Sequence, residues 1–320
     1  MLKTTQKWFL KSTLFSLTLF LSLLIVSGCG GEEGGSGDQS GEKRLKVVAT
    51  TGMIADAAEN ILGDHAEVIG LMGPGVDPHL YKASQNDLKL LTDADIILYN
   101  GLHLEGKMAE VLEKLSSRKP VIAVGDYVDP SLRRSPPEFK GAYDPHIWFD
   151  VSLWRGAISG LVDTLARLDS VQGETYQQRG RAYLAQLDTL DTWVRAQIET
   201  IPESSRLLIT AHDAFGYFGR AYKIEVRGLQ GISTVDEPGL ADRKRMVDLI
   251  VERKIKAVFV ESSVRRSNIE ALIESAKSEG HELKIGGELF SDAMGAKETP
   301  EGTYVGMVKA NVNTIVEALK

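Results

Sequence analysis

From Gly173 to Ile201 the chain contains no proline, and Tyr183, Leu187, Leu190, Val194, Ile198 and Ile201 recur at intervals of three and four residues. That spacing lays one apolar stripe along a single helix. At 1.5 Å rise per residue, roughly 28 residues make a rod about 40 Å long, enough to run the length of a domain. Pro202 ends it. Whatever lies on either side must be organised around this rod.

What lies on either side is an alternation of short apolar runs with amphipathic ones. Before the rod, "LKVVATT", "AEVIGLM", "DIILYN" and "VIAV" read as strands, with helices at "MIADAAENIL", "SQNDLKLLTDA" and "MAEVLEKL". After it, "RLLITA", "IEVRGL", "KAVFVE" and "ELKIGG" are separated by a helix from Asp213, by "ADRKRMVDLIVERK" and "NIEALIESAK", with a last helix near Tyr304–Leu319. Alternation of this kind predicts a parallel sheet with helices on its faces. The fold expected is α/β: an N-terminal lobe over 45–172, the linking helix over 173–202 and a C-terminal lobe over 203–320. A single rigid helix between two lobes makes a cleft and limits how far it opens.

The chain has six histidines, and two of them share a frame: Asp77-Pro78-His79 and Asp144-Pro145-His146. Aspartate caps helices and proline tolerates a first helical turn, so two helix starts would explain Asp and Pro, but not the histidines. His79 follows a strand, and His212 ends one in "RLLITAHD". In open parallel sheets ligands bind beyond the carboxyl ends of the strands, and Asp292, in "LFSDAMG" after "ELKIGG", occupies the same kind of place. His79, His146, His212 and Asp292, two from each lobe, would give a compact site of three nitrogens and one oxygen at the cleft. Pro78 and Pro145 fix a backbone dihedral just before each ring, so both rings are presented from stiff loops. His103 and Glu261, each at a strand end, are candidates for a place behind such ligands or for packing. His65 and His281, on polar flanks, read as surface residues, and Trp148 and Phe149 as core residues that seat the His146 loop.

The N-terminus is a separate segment. Lys3, Lys7 and Lys11 lead into the apolar "STLFSLTLFLSLLIV", which closes on small residues and the single cysteine, Cys29. That is the pattern of an export signal; an uncleaved anchor is the other reading, although Lys11 interrupts the run. Val26-Ser27-Gly28-Cys29 resembles a bacterial lipobox, with Val where Leu is usual, and implies a signal peptide over 1–28 and lipidation of Cys29. Residues 29–44, rich in Gly, Ser and charge, form a tether that cannot bury enough surface to order itself. Removing residues 1–28 takes away three lysines and no acid, moving the formal charge from −7 to −10. An acidic body disfavours nucleic acid as a partner. With no other cysteine there is no disulfide, thiolate metal site or cysteine nucleophile.

From "VVATTGMIADAAENI" through "GPGVDPHLYKASQNDLKLLTDADIILYNGLHLEGKM", "DPHIWFDVSLW", "TAHDAFGYFGRAYKIEVRGLQGIST", "EPG" and "LFSDAMG", the mature chain resembles the zinc and manganese substrate-binding lipoproteins of bacterial ABC importers, also called adhesin-like lipoproteins. The resemblance implies two lobes on one backbone helix and places the metal ligands on His79, His146, His212 and Asp292. It implies a monomer anchored to the membrane through Cys29, on the periplasmic or extracellular side, that takes Zn²⁺ or Mn²⁺ as cargo to a permease driven by an ATPase. The region before His146 lacks the His-rich loop of many zinc members, and His212 stands where many manganese members have Glu. Three imidazoles favour zinc, since Mn²⁺ prefers oxygen donors. Because ligand histidines must be neutral, affinity is expected to fall as pH drops through the histidine range. An alternative from the residues alone is a zinc hydrolase in which three histidines hold the metal and Asp292 serves as general base.

Overall fold

The apolar and amphipathic runs become strands and helices in the order the pattern predicts. A computed structural model describes residues 44–320 apart from Lys140; the leader, Cys29 and the tether to residue 43 lie outside the described residues. The elements are β1 (Leu45–Ala49), α1 (Gly52–Leu62), β2 (Ala66–Gly70), α2 (Gln85–Asp93), β3 (Ile96–Tyr99), α3 (Ala109–Ser116), β4 (Val121–Ala123), α4 (Val151–Leu168) and α5 (Gly173–Glu199). They continue with β5 (Leu207–His212), α6 (Gly216–Tyr222), β6 (Glu225–Gln230), α7 (Leu240–Glu252), β7 (Ala257–Glu261), α8 (Ser267–Ser278), β8 (Lys284–Leu289) and α9 (Tyr304–Leu319).

In the first half the order is β2-β1-β3-β4, parallel throughout, with Val47 of β1 opposite Val68 on one side and Ile96 on the other. Consecutive Val47, Val48 and Ala49 are all buried, as a strand covered on both faces requires. One face packs into the cluster of Ile54, Ala57 and Ile61 from α1, and the other holds Val48, Ile97, Leu91 and Leu112. The second half departs from a continuous sheet: β5 pairs with β6 and β7 with β8, each parallel, and β5 adjoins β7. Side chains supply part of that join. The backbone N–H of His212, at the end of β5, donates to Glu261 Oε1, at the end of β7, at 2.8 Å.

The long stripe is α5. It buries Tyr176, Tyr183, Leu187, Leu190, Val194 and Ile198. These pack against α1 and α4 from the first half and α9 from the second, so Leu161, Leu187 and Val312 belong to one core cluster. The helix ends at Glu199, two residues before the stripe does; Ile201 is buried beyond its end. No helix among the described residues is long and apolar enough to cross a membrane. The strand ends then carry the polar residues: β5 ends on His212, β7 on Glu261, and the loops after β2 and β8 lead to His79 and Asp292.

Candidate metal centre

The two Asp-Pro-His tripeptides fold alike, as side-chain-capped turns rather than α-helix starts. Asp77 Oδ1 accepts the backbone N–H of His79 at 2.9 Å, and Asp144 Oδ1 accepts that of His146 at 3.0 Å. Aspartate commonly caps the N–H two residues on in this way. Asp144 Oδ1 also lies 2.8 Å from His146 Nδ1. Glu261 does the same for His212, taking its backbone N–H with Oε1 and standing 2.5 Å from Nδ1 with Oε2. Since these carboxylate oxygens accept, each Nδ1 keeps its proton, so Nε2 of both rings is the atom that gives up a proton and binds when a metal enters.

The Nε2 atoms converge on Asp292. His146 Nε2 is 3.3 Å from Oδ1, while His212 Nε2 and His79 Nε2 are 3.3 and 3.6 Å from Oδ2. His79 and His146 face each other, Nε2 to Nε2, at 3.4 Å. A tetrahedral site with bonds of about 2.0–2.1 Å has donor-to-donor edges of about 3.4 Å. His79, His146, His212 and Asp292 form the one group of potential metal ligands among the described residues, with a donor atom of each within 4.8 Å of the others. Their exposures are 4, 0, 0 and 2%, so the centre is closed to solvent. His212 Nε2 and both oxygens of Asp292 are buried without a hydrogen-bond partner among the described residues. Each such atom costs about 1–3 kcal/mol unless something satisfies it.

The electrostatics divide the rings. Burial works against a charge on His146, but Asp292 and Asp144 outweigh it and raise its pKa to about 9. Burial also opposes charge on His212, and Glu261 and Asp292 overcome it, holding the ring well above the usual histidine range. Burial resists ionisation of Asp292, yet His212 and His146 keep its carboxyl well below the carboxylate range. His79 goes the other way: burial dominates the pull of Asp292 and lowers it to about 3.

A supporting layer surrounds the four. Trp148, buried as expected, donates Nε1 to the Ser291 carbonyl at 3.1 Å and so ties the His146 segment to the Asp292 loop. Asn100 Nδ2 donates to the Pro145 carbonyl at 3.0 Å, and buried Glu105 accepts from Thr50 Oγ1 and the N–H groups of Asn100 and Gly101. Arg134 pairs with Asp144, and Tyr217 Oη, on α6, donates to the Asp144 carbonyl at 2.9 Å. Sequence reasoning took Asp77 and Asp144 only as possible helix caps, not as the groups that hold His79 and His146, and it missed Glu105 and Arg134. The Asp-x-His spacing was the available signal for the two aspartates. His103 is exposed at φ 68 and lines a separate cavity of about 480 Å³ with Tyr99, Glu105 and Tyr143. His65 and His281 are half-buried rather than on the open surface, and His281 Nε2 meets the Ile255 carbonyl at 2.5 Å.

A family model described as the periplasmic component A of zinc-uptake complexes matches residues 47–318. The manganese-binding lipoprotein MntA of Bacillus subtilis is 48% identical over 311 residues, which cover 97% of this chain and 100% of that protein. The zinc-binding protein TroA of Treponema pallidum is 49% identical over 285 residues, covering 89% and 92%. The solved structure of that periplasmic zinc-binding protein superposes with a TM-score of 0.84 at 50% identity, over 86% of this chain and 99% of the other.

Proposed function

The chain belongs to the zinc-uptake component A family of metal-binding ABC-transporter substrate-binding proteins, and on that premise we propose that it captures Zn²⁺ or Mn²⁺ with His79, His146, His212 and Asp292. Members of this family are transport proteins, not enzymes. The observation that carries the proposal is Asp292, whose two buried oxygens have no hydrogen-bond partner among the described residues and face three imidazole nitrogens at 3.3–3.6 Å. One divalent ion at their centre satisfies every orphaned atom at once. The hydrolase reading finds no support. Asp292 lies at ligand distance within the donor set, where a general base would stand off beside a reserved water.

Around this centre, the lobes 45–172 and 203–320 close on the linking segment 173–202. Lipidation of Cys29 holds the monomer, on its 29–44 tether, at the outer side of the cytoplasmic membrane, and the ion passes to a permease driven by its ATPase. The names of the two relatives divide between manganese and zinc at 48 and 49% identity, so likeness does not choose the cargo. Three imidazoles lean towards zinc, while a carboxylate with both oxygens turned inward offers the additional oxygen that Mn²⁺ prefers.

Equilibrium titration with each metal tests the assignment. His79→Ala and His146→Ala should each lose more than the roughly 10–100-fold in affinity that removal of an outer partner costs. Tight binding of both ions by either variant would show that the site lies elsewhere. Metal content of protein purified from its native host, set beside competition titrations, identifies the cargo.

A further inference from the structure

Of the three histidines, only two are held by their rings. His146 and His212 have Nδ1 fixed by Asp144 and Glu261, whereas among the described residues no side chain takes up Nδ1 of His79. What aims the His79 ring is its backbone, through the 2.9 Å bond from its N–H to Asp77 Oδ1. The other oxygen of Asp77 is held from a distant part of the chain: Thr234 Oγ1 donates to Oδ2 at 2.5 Å across 157 residues of sequence.

Thr234 is 6% exposed and lies in the irregular stretch between β6 and α7. That stretch is fastened to the half that carries His212. Gln230, opposite His212 in the β5–β6 ladder, donates its side-chain amide to the carbonyls of Thr234 at 2.9 Å and Asp236 at 2.8 Å. Asn268 of α8 donates to Glu237 at 3.0 Å. The Thr234 hydroxyl therefore joins a segment braced in the second half to the turn that presents His79 from the first.

We infer that Thr234 is a positioning residue for His79: its hydroxyl latches Asp77, and the latch governs how fast a bound divalent ion is released. The inference rests on the metal reading of the four ligands. With the latch intact, both oxygens of Asp77 are engaged and the His79 N–H has a fixed acceptor. With it broken, Asp77 can rotate, and His79 becomes the one ligand with neither its ring nor its backbone cap held. It is then the first to leave, and the ion escapes past it.

Thr234→Val keeps the branched shape of the side chain and removes the hydroxyl, and Thr234→Ser keeps the hydroxyl. The full-length protein in detergent is first titrated with Zn²⁺ and with Mn²⁺, then loaded and chased with excess chelator in a stopped-flow instrument. Thr234→Val should bind to the same stoichiometry as the unsubstituted protein but release the ion about 10–100-fold faster, the range in which outer partners of metal ligands act. Thr234→Ser should release at the unsubstituted rate. Release from Thr234→Val at the unsubstituted rate overturns the latch. Release from Thr234→Ser as fast as from Thr234→Val does so too, because packing of the methyl group would then be what matters. Failure of the unsubstituted protein to take up either ion, read in the titration before any chase, overturns the metal reading and this inference together.

Discussion

Asp292 is the acid around which the proton inventory of the site turns. His146 and His212, both raised, carry protons in the metal-free centre at neutral pH, and His79, lowered to about 3, does not. Two imidazolium charges therefore stand where one divalent ion would, so capture exchanges protons for metal with little change in local charge. The sign follows directly. A group with a raised pKa holds its proton below that value, so the ion must expel it, and affinity climbs as pH rises towards about 9. Between pH 6 and 8 we expect about two protons released per ion and an affinity that rises up to about a hundredfold per pH unit. Calorimetry in buffers of different ionisation enthalpy counts the protons; a pH-independent affinity would rule out this pair of imidazoles as ligands. His79, His212 and Asp292 were legible because strand ends are where open α/β sheets place their chemistry, and His146 because it repeats the Asp-Pro-His frame of His79. The roles of Asp77 and Asp144 were not, because an aspartate before proline caps a turn or a helix with the same atoms. Glu105 and Arg134 act through backbone groups and pairings made only once the loops have folded.

The stripe on α5 was plain at the level of the element, since a period of three and four over that length has one structural solution. Its end was less so: Ile201 keeps the apolar period although the helix stops at Glu199, because burial continues past the last helical turn. Similarly, α6 begins at Gly216 rather than near Asp213, whose N–H is already engaged by the Gln230 carbonyl at 3.1 Å. The join of β5 to β7 through Glu261 had no local signal at all. What sequence period does not report is how closely α4 and α5 approach. A Cβ placed on Gly180 would lie 2.6 Å from both γ-methyls of Val162. Gly180→Ala gains about 1 kcal/mol of helix propensity. Overpacking a tight helix contact costs about 1–3 kcal/mol, so the net effect should be loss. Denaturant unfolding of Gly180→Ala should show it, and adding Val162→Ala should recover part of the loss. A stabilised single variant would mean that the two helices part more easily than their packing indicates.

Across the whole molecule, the donor atoms come from loops and the end of β5, drawn from both halves, and α5 packs against α1 and α4 on one side and α9 on the other. The acidic balance was readable from composition, and the leader and tether expected from the same stretch lie outside the described residues. The closed state of the centre was not, because burial to 4% or less depends on how the halves meet. That closure gives metal a global effect on stability. An ion that binds only the folded chain, at a hundred times its dissociation constant, adds about 2.7 kcal/mol. For a domain of this size such a gain raises the melting midpoint by about 5 °C or more. Scanning calorimetry of metal-stripped protein, with and without added Zn²⁺ or Mn²⁺, should register that shift. His146→Ala should remove the shift while leaving a folded transition in the metal-free scan, since the core cluster around α5 contains none of the four ligands. A shift of undiminished size in that variant would place the stabilising ion outside this centre, and no shift in the unsubstituted protein would mean that folding and metal capture are not coupled.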